Sequence, residues 1–96
     1  MNRRITAKLG EVFEISLDAL ASAGFSWAPA APESLKVVEM IDSAWRGVDA
    51  EKVGESTRQV FRFRTIGLGE EQLRFEYKRP WEAASQDTRT FVVRVE

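Results

Sequence analysis

The stretch Leu73-Arg74-Phe75-Glu76-Tyr77-Lys78 alternates apolar and charged residues without a break, and then Arg79-Pro80-Trp81 ends it. Six residues of strict period-two alternation place one face of a strand in a core and the other in water. The same signature recurs on both sides of it. In Glu11 to Asp18, Phe13, Ile15 and Leu17 share a face. In Val60 to Arg64, Phe61 and Phe63 oppose Arg62 and Arg64, and in Thr90 to Val95, Phe91, Val93 and Val95 line up. Each reads as a half-buried antiparallel strand.

Weaker units fill the gaps. Phe25-Ser26-Trp27 is a short fifth strand and Leu35 to Asp42 a sixth, its phase blurred by Val37-Val38 and Met40-Ile41; Ile5 to Leu9 can pair at an edge. Alanines in Asp18 to Ala23 invite a helix, but the preceding strand and Gly24 favour a loop. Pro29 and Pro32 mark a turn, and Gly67-Leu68-Gly69-Glu70 reads as a hairpin turn that uses glycine's freedom at positive φ. Seven or eight short strands with turn signals between them define an all-β chain, an immunoglobulin-like antiparallel β-sandwich. With 96 residues, it is read as a single domain over 1–96.

Composition removes whole classes of function. Lys plus Arg number 14 against 15 Asp plus Glu, a balance unsuited to a phosphate backbone, so no nucleic-acid partner is expected. The chain has no Cys and no His, which excludes disulfides, the usual zinc ligand sets and His-based triads. No apolar run is long enough for a membrane span. As written the chain reads as cytoplasmic, or as periplasmic or secreted if a leader has been removed. Glu70 and Glu71 are adjacent, and adjacent residues on a strand face opposite ways, so they cannot serve as an acid/base pair; they read as solvated surface. Gly67-Leu68-Gly69 precedes no helix start and no Lys-Ser or Lys-Thr, which rules out a P-loop. No catalytic residue, metal site or cofactor site is read from the sequence.

What remains unusual lies in the connections. In a sandwich of this kind, Leu20-Ala21-Ser22-Ala23-Gly24-Phe25, Gly54-Glu55-Ser56-Thr57 and Arg79-Pro80-Trp81 emerge at one end, as the antigen-binding loops of an antibody domain do. Trp27 reads as core, Phe25 as packing inward at the base of its loop, and Trp45 as a cap on the core from a connection. Arg62, Arg64, Arg74 and Lys78 read as one solvated sheet face countered by Glu76. Trp81 either docks on a partner or folds back over the end of the sandwich.

Gly24-Phe25-Ser26-Trp27, followed by the alternating strand that runs into Arg79-Pro80-Trp81, resembles the chagasin family of cysteine-protease inhibitors over about Gly10 to Val95. That resemblance implies an immunoglobulin-like monomer, without a cofactor, that blocks papain-like cysteine proteases non-covalently with three loops. The family's third loop, Arg-Pro-Trp, is complete in Arg79, Pro80 and Trp81. Its first reads Asn-Pro-Thr-Thr-Gly-Tyr/Phe; here Leu20, Ala21, Ser22 and Ala23 replace the first four residues, and Gly24 and Phe25 are kept. Its second, Gly-x-Gly-Gly, falls on Gly54, Glu55, Ser56 and Thr57, where only the first glycine survives. These departures lead us to expect weaker inhibition than in typical members, because a loop without its proline must be ordered on binding. The alternative is an interaction module whose loop edge binds a protein other than a protease, and the altered first loop suits that reading better.

Overall fold

A computed structural model describes residues 2–19, 24–46 and 57–96. Seven strands run through them: β1 (Asn2–Ala7), β2 (Val12–Ala19), β3 (Ser26–Pro29), β4 (Val38–Arg46), β5 (Thr57–Thr65), β6 (Gly69–Lys78) and β7 (Asp87–Val95). They form two sheets, ordered β1-β7-β6-β3 and β2-β5-β4, the two layers of an immunoglobulin-like sandwich. Every pairing is antiparallel except that of β1, which runs parallel along the outer edge of β7 from Asn2↔Thr90 to Ala7↔Val95.

Alternation in the sequence becomes burial. Ile15 and Leu17 from β2, Phe61 and Phe63 from β5, Leu73 and Phe75 from β6, and Phe91, Val93 and Val95 from β7 face one another between the sheets. Phe75 is the hub, fully buried. Its ring centroid lies 4.9 Å from that of Phe61, and it meets Phe63 and Phe91 edge-on at 6.2 and 5.7 Å. Offset and edge-to-face pairs of this kind add about 0.5–1.5 kcal/mol each to the apolar burial. A chain without a disulfide depends on such packing.

Several expectations change. The sixth strand begins at Val38, not Leu35, and continues to Arg46. Its register with β5 shifts between Met40 and Asp42, so Ile41 is a bulge residue, and this accounts for the blurred phase there. Trp45 therefore sits on a strand, paired with Gln59 and 48% exposed, and does not cap the core from a connection. Gly67 to Glu70 do not form a hairpin: β5 and β6 belong to different sheets, and the segment crosses between them. The crossing is tied down by the N–H groups of Ile66 and Gly67, which donate to the Val37 carbonyl at 2.7 and 3.1 Å.

Charge placement changes as well. Arg62 and Arg64 lie on β5, whereas Arg74 and Lys78 lie on β6 in the other sheet, so they do not share a face. Arg62 grips Asp42, its cross-strand partner, through Nε at 2.9 Å and Nη2 at 2.8 Å. The hydrogen bond from Arg62 holds the Asp42 carboxyl below its ordinary value, and the same bond raises Arg62. Glu71 is no solvated bystander: its carboxylate accepts from the N–H groups of Lys36 (2.8 Å), Val37 (2.8 Å) and Val38 (3.3 Å), gathering the chain as it enters β4.

Candidate functional site

Strand register brings the loop stems to one end. Ala19, the last residue of β2, pairs with Thr57, the first of β5, and beside them Arg46 closes β4 opposite Arg58. In the other sheet, Ser26 at the start of β3 pairs with Lys78 at the end of β6, and Tyr77 pairs with Asp87 at the start of β7.

Three hydrogen bonds lock the two sheets together here. Trp27 is buried and its indole Nε1–H donates to the Asp18 carbonyl at 2.8 Å. Gln59, buried in β5, accepts from the Trp27 backbone N–H and returns a bond from its amide nitrogen to the Trp27 carbonyl at 3.2 Å. β3 is an edge strand, and Gln59 occupies its outer hydrogen-bonding groups as another strand would. The stems on both sides of the first loop are thereby fixed to each other.

Arg79, Pro80 and Trp81 follow β6 directly. The Glu82 N–H donates to the Arg79 carbonyl at 3.0 Å, closing a turn with Pro80 in its second position, where a φ near −65° is required. The Glu82 side chain answers by accepting from the Arg79 N–H at 3.2 Å. This small reciprocal turn lifts Trp81 into solvent, 74% exposed. Indole at that exposure serves no core.

The third segment leans on the retained part of the first. Gly24 has a φ of +83°, a conformation glycine adopts freely, and a side chain begun there would lie 3.5 Å from the Trp81 Cη2 and 3.9 Å from the Arg79 Cγ. The Arg79 guanidinium carbon sits 4.4 Å above the Phe25 ring centroid and 5.9 Å from that of Trp81. Below it, Phe25 stacks on Tyr77 at 5.0 Å, and Tyr77 leans on Trp27 at 4.7 Å. Trp81, Arg79, Phe25, Tyr77 and Trp27 thus form one continuous pile from solvent to core.

Of the sequence candidates, the structure brings together Gly24, Phe25, Arg79, Pro80 and Trp81, and it sets Thr57 at the head of β5 on the same end. Leu20, Ala21, Ser22 and Ala23 lie outside the described residues, as do Gly54, Glu55 and Ser56. Among the described residues no group of carboxylates is placed to hold a metal ion. Nothing in this arrangement resembles a nucleophile with its base; what it offers is a rigid, aromatic, cationic prominence suited to filling a groove on another molecule.

The sequence profile of the chagasin family peptidase inhibitor I42 matches residues 6–95. The chain belongs to the chagasin family of peptidase inhibitors. It is accordingly an inhibitor-family protein and not an enzyme. No curated protein sequence matches it significantly. Solved structures share the fold. The cysteine protease inhibitor EhICP2 from Entamoeba histolytica superposes with a TM-score of 0.75 at 18% identity, covering 99% of this chain and 96% of that one. Amebosin gives 0.75 at 23% identity, covering 97% and 88%. PbICP-C, solved in complex with falcipain-2, gives 0.68 at 18% identity, covering 100% and 90%.

Within the family frame, two bracing residues escaped the sequence reading. Gln59 stands two positions before Phe61, so extending that alternation backwards would have placed it on the core face, where a polar side chain demands a partner. Tyr77 sits on the core face of β6, but nothing in the sequence says that it separates Phe25 from Trp27.

Proposed function

We propose that this protein is a reversible, non-covalent inhibitor of papain-like cysteine proteases that occludes the active-site cleft with one end of its sandwich. The contact segments in this reading are Leu20 to Phe25, Gly54 to Thr57 and Arg79 to Trp81. The observation that carries it is Trp81, exposed at the loop end and held on Gly24 and Arg79 in a chain of the chagasin family. The Entamoeba relative is a cysteine protease inhibitor and PbICP-C binds falcipain-2, which supports this choice of target.

The mechanism is occupation. The first segment approaches the protease's catalytic Cys and His, and the other two grip the walls of the cleft. No bond forms or breaks. Because the pile beneath Trp81 is already assembled, docking the indole orders little and so retains most of its contact energy. The first segment, with Ala21 in place of a proline, gives some of that advantage back, which weakens inhibition relative to typical members.

Inhibition of papain by the purified chain and by Trp81→Ala, with thermal melts of both, tests this reading. We expect inhibition by the parent and a loss of about 2 kcal/mol, roughly thirtyfold, in the variant, at unchanged melting temperature. Absence of inhibition by the parent at high micromolar concentration overturns it.

A further inference from the structure

On the flank of the sandwich, just below the loop end, a cleft of about 520 Å³ opens between the sheets, lined by Arg3, Ser16, Asp18, Arg58, Arg89 and the aromatic edge of Trp27. We propose that this cleft binds a small, multiply charged anion of the phosphate type, a function separate from protease inhibition. Arg3 pairs with Phe91, sharing the inward face of β1 with Ile5 and Ala7, and Arg89 shares the inward face of β7 with Phe91 and Val93. Both arginines therefore occupy positions where the alternation calls for an apolar residue, and both are exposed where the core opens to solvent. An inward charge on β1 also blunts a free edge, but β7 is an interior strand and needs no such protection.

Three arginines line the cleft beside a single acidic residue, Asp18. Asp18 holds Arg58 through one contact at 3.3 Å, and Asp87, outside the cleft lining, accepts from both Nε and Nη2 of Arg89 at 3.3 Å. Among the described residues Arg3 makes no ion pair. Each arginine thus keeps N–H donors to spare, and planar forks of this kind match the oxygens of a phosphate group. Arg89 is steadied over the Trp27 ring at 5.6 Å, which limits the ordering required of it. The chemistry does not distinguish a free phosphate ion from a phosphate carried on an organic body.

The Trp27 indole N–H, which donates to Asp18 at the cleft wall, is the natural reporter. Titrate the full chain with inorganic phosphate and with phenyl phosphate at constant ionic strength, following that N–H resonance, assigned with the aid of Trp45→Phe and Trp81→Phe. A saturable one-site shift with either probe is expected, weakened about tenfold in Arg3→Gln and in Arg89→Gln and unchanged in Arg74→Gln on the opposite face of the sheet. Tighter binding of phenyl phosphate identifies an organic phosphate as the ligand; equal or tighter binding of inorganic phosphate identifies the free ion. The melting temperature should rise with the bound probe in the parent and less so in the two cleft variants. Shifts that never saturate with either probe, or that are the same in Arg3→Gln and Arg89→Gln as in the parent, overturn the proposal. Melts of the variants without a probe confirm that they fold.

Discussion

The Trp81 ring edge stands 3.5 Å from the point where a side chain at Gly24 would begin. That distance is ordinary van der Waals contact, so the space admits a methyl group; the obstacle to one is the backbone φ of +83°. Gly24→Ala should therefore cost about 1 kcal/mol of stability while leaving the indole in place. Gly24→Leu should displace it. Thermal melts and Trp emission of the two variants, read beside papain inhibition, separate backbone strain from loss of the contact: only the leucine variant is expected to lose inhibition severalfold.

The Arg79 guanidinium lies over the Phe25 ring at 4.4 Å, and a lysine ammonium cannot cover that ring in the same way. Arg79→Lys, which keeps the charge, should weaken papain inhibition by about 0.5–1 kcal/mol, the scale of an exposed cation–π contact. A double-mutant cycle with Phe25→Leu should return a coupling of the same size. Full activity in Arg79→Lys would reduce the role of that guanidinium to its charge.

Gln59 closes both free backbone groups of Trp27, and its removal leaves a buried N–H and a buried carbonyl without partners. Gln59→Ala should cost about 2–3 kcal/mol in urea unfolding. Amide exchange at Trp27 should accelerate in step, because that donor is then exposed whenever β3 frays.

Glu71 offers a contrast at the far pole. Its carboxylate gathers the N–H groups of Lys36, Val37 and Val38, so Glu71→Ala should cost about 2 kcal/mol of stability. Since β4 meets the loop end only at Arg46, papain inhibition by the folded variant should match that of the parent.

The Asp42–Arg62 pair sets an acid-side dependence. The Asp42 carboxyl titrates below its ordinary value in the folded protein because Arg62 donates to it. A depressed carboxyl stabilises the fold above its unfolded value of about 3.9, and that contribution disappears as the pH falls through the folded value. Melting temperatures of the parent and Asp42→Asn should differ at pH 6 and converge in stronger acid. Both side chains are about half exposed, and solvent screening keeps the gap small.

How far the fold could be read in advance depended on where hydrophobic alternation was unbroken. β2, β5, β6 and β7 carry one buried and one wet face, and period two exposes that directly. β4 resisted because the bulge at Ile41 inverts the phase in mid-strand, and because beyond Val38 it lies on an exposed edge. The Gly67–Glu70 crossing reads as a hairpin in sequence because glycines advertise a tight turn equally well within one sheet or between two. At the candidate site, Arg79-Pro80-Trp81 could be picked out by type and position. The pile that supports it could not, since Tyr77 and Gln59 gain their roles from neighbours more than ten residues away.

The parallel seam between β1 and β7 also bears on how the chain acquires its shape. It joins Asn2 to Thr90, so β1 pairs with the strand most distant from it in sequence among those described. Contacts at such separation are slow to form. The seam is therefore expected to form late in folding, so that Ile5→Ala within it should speed unfolding more than it slows folding.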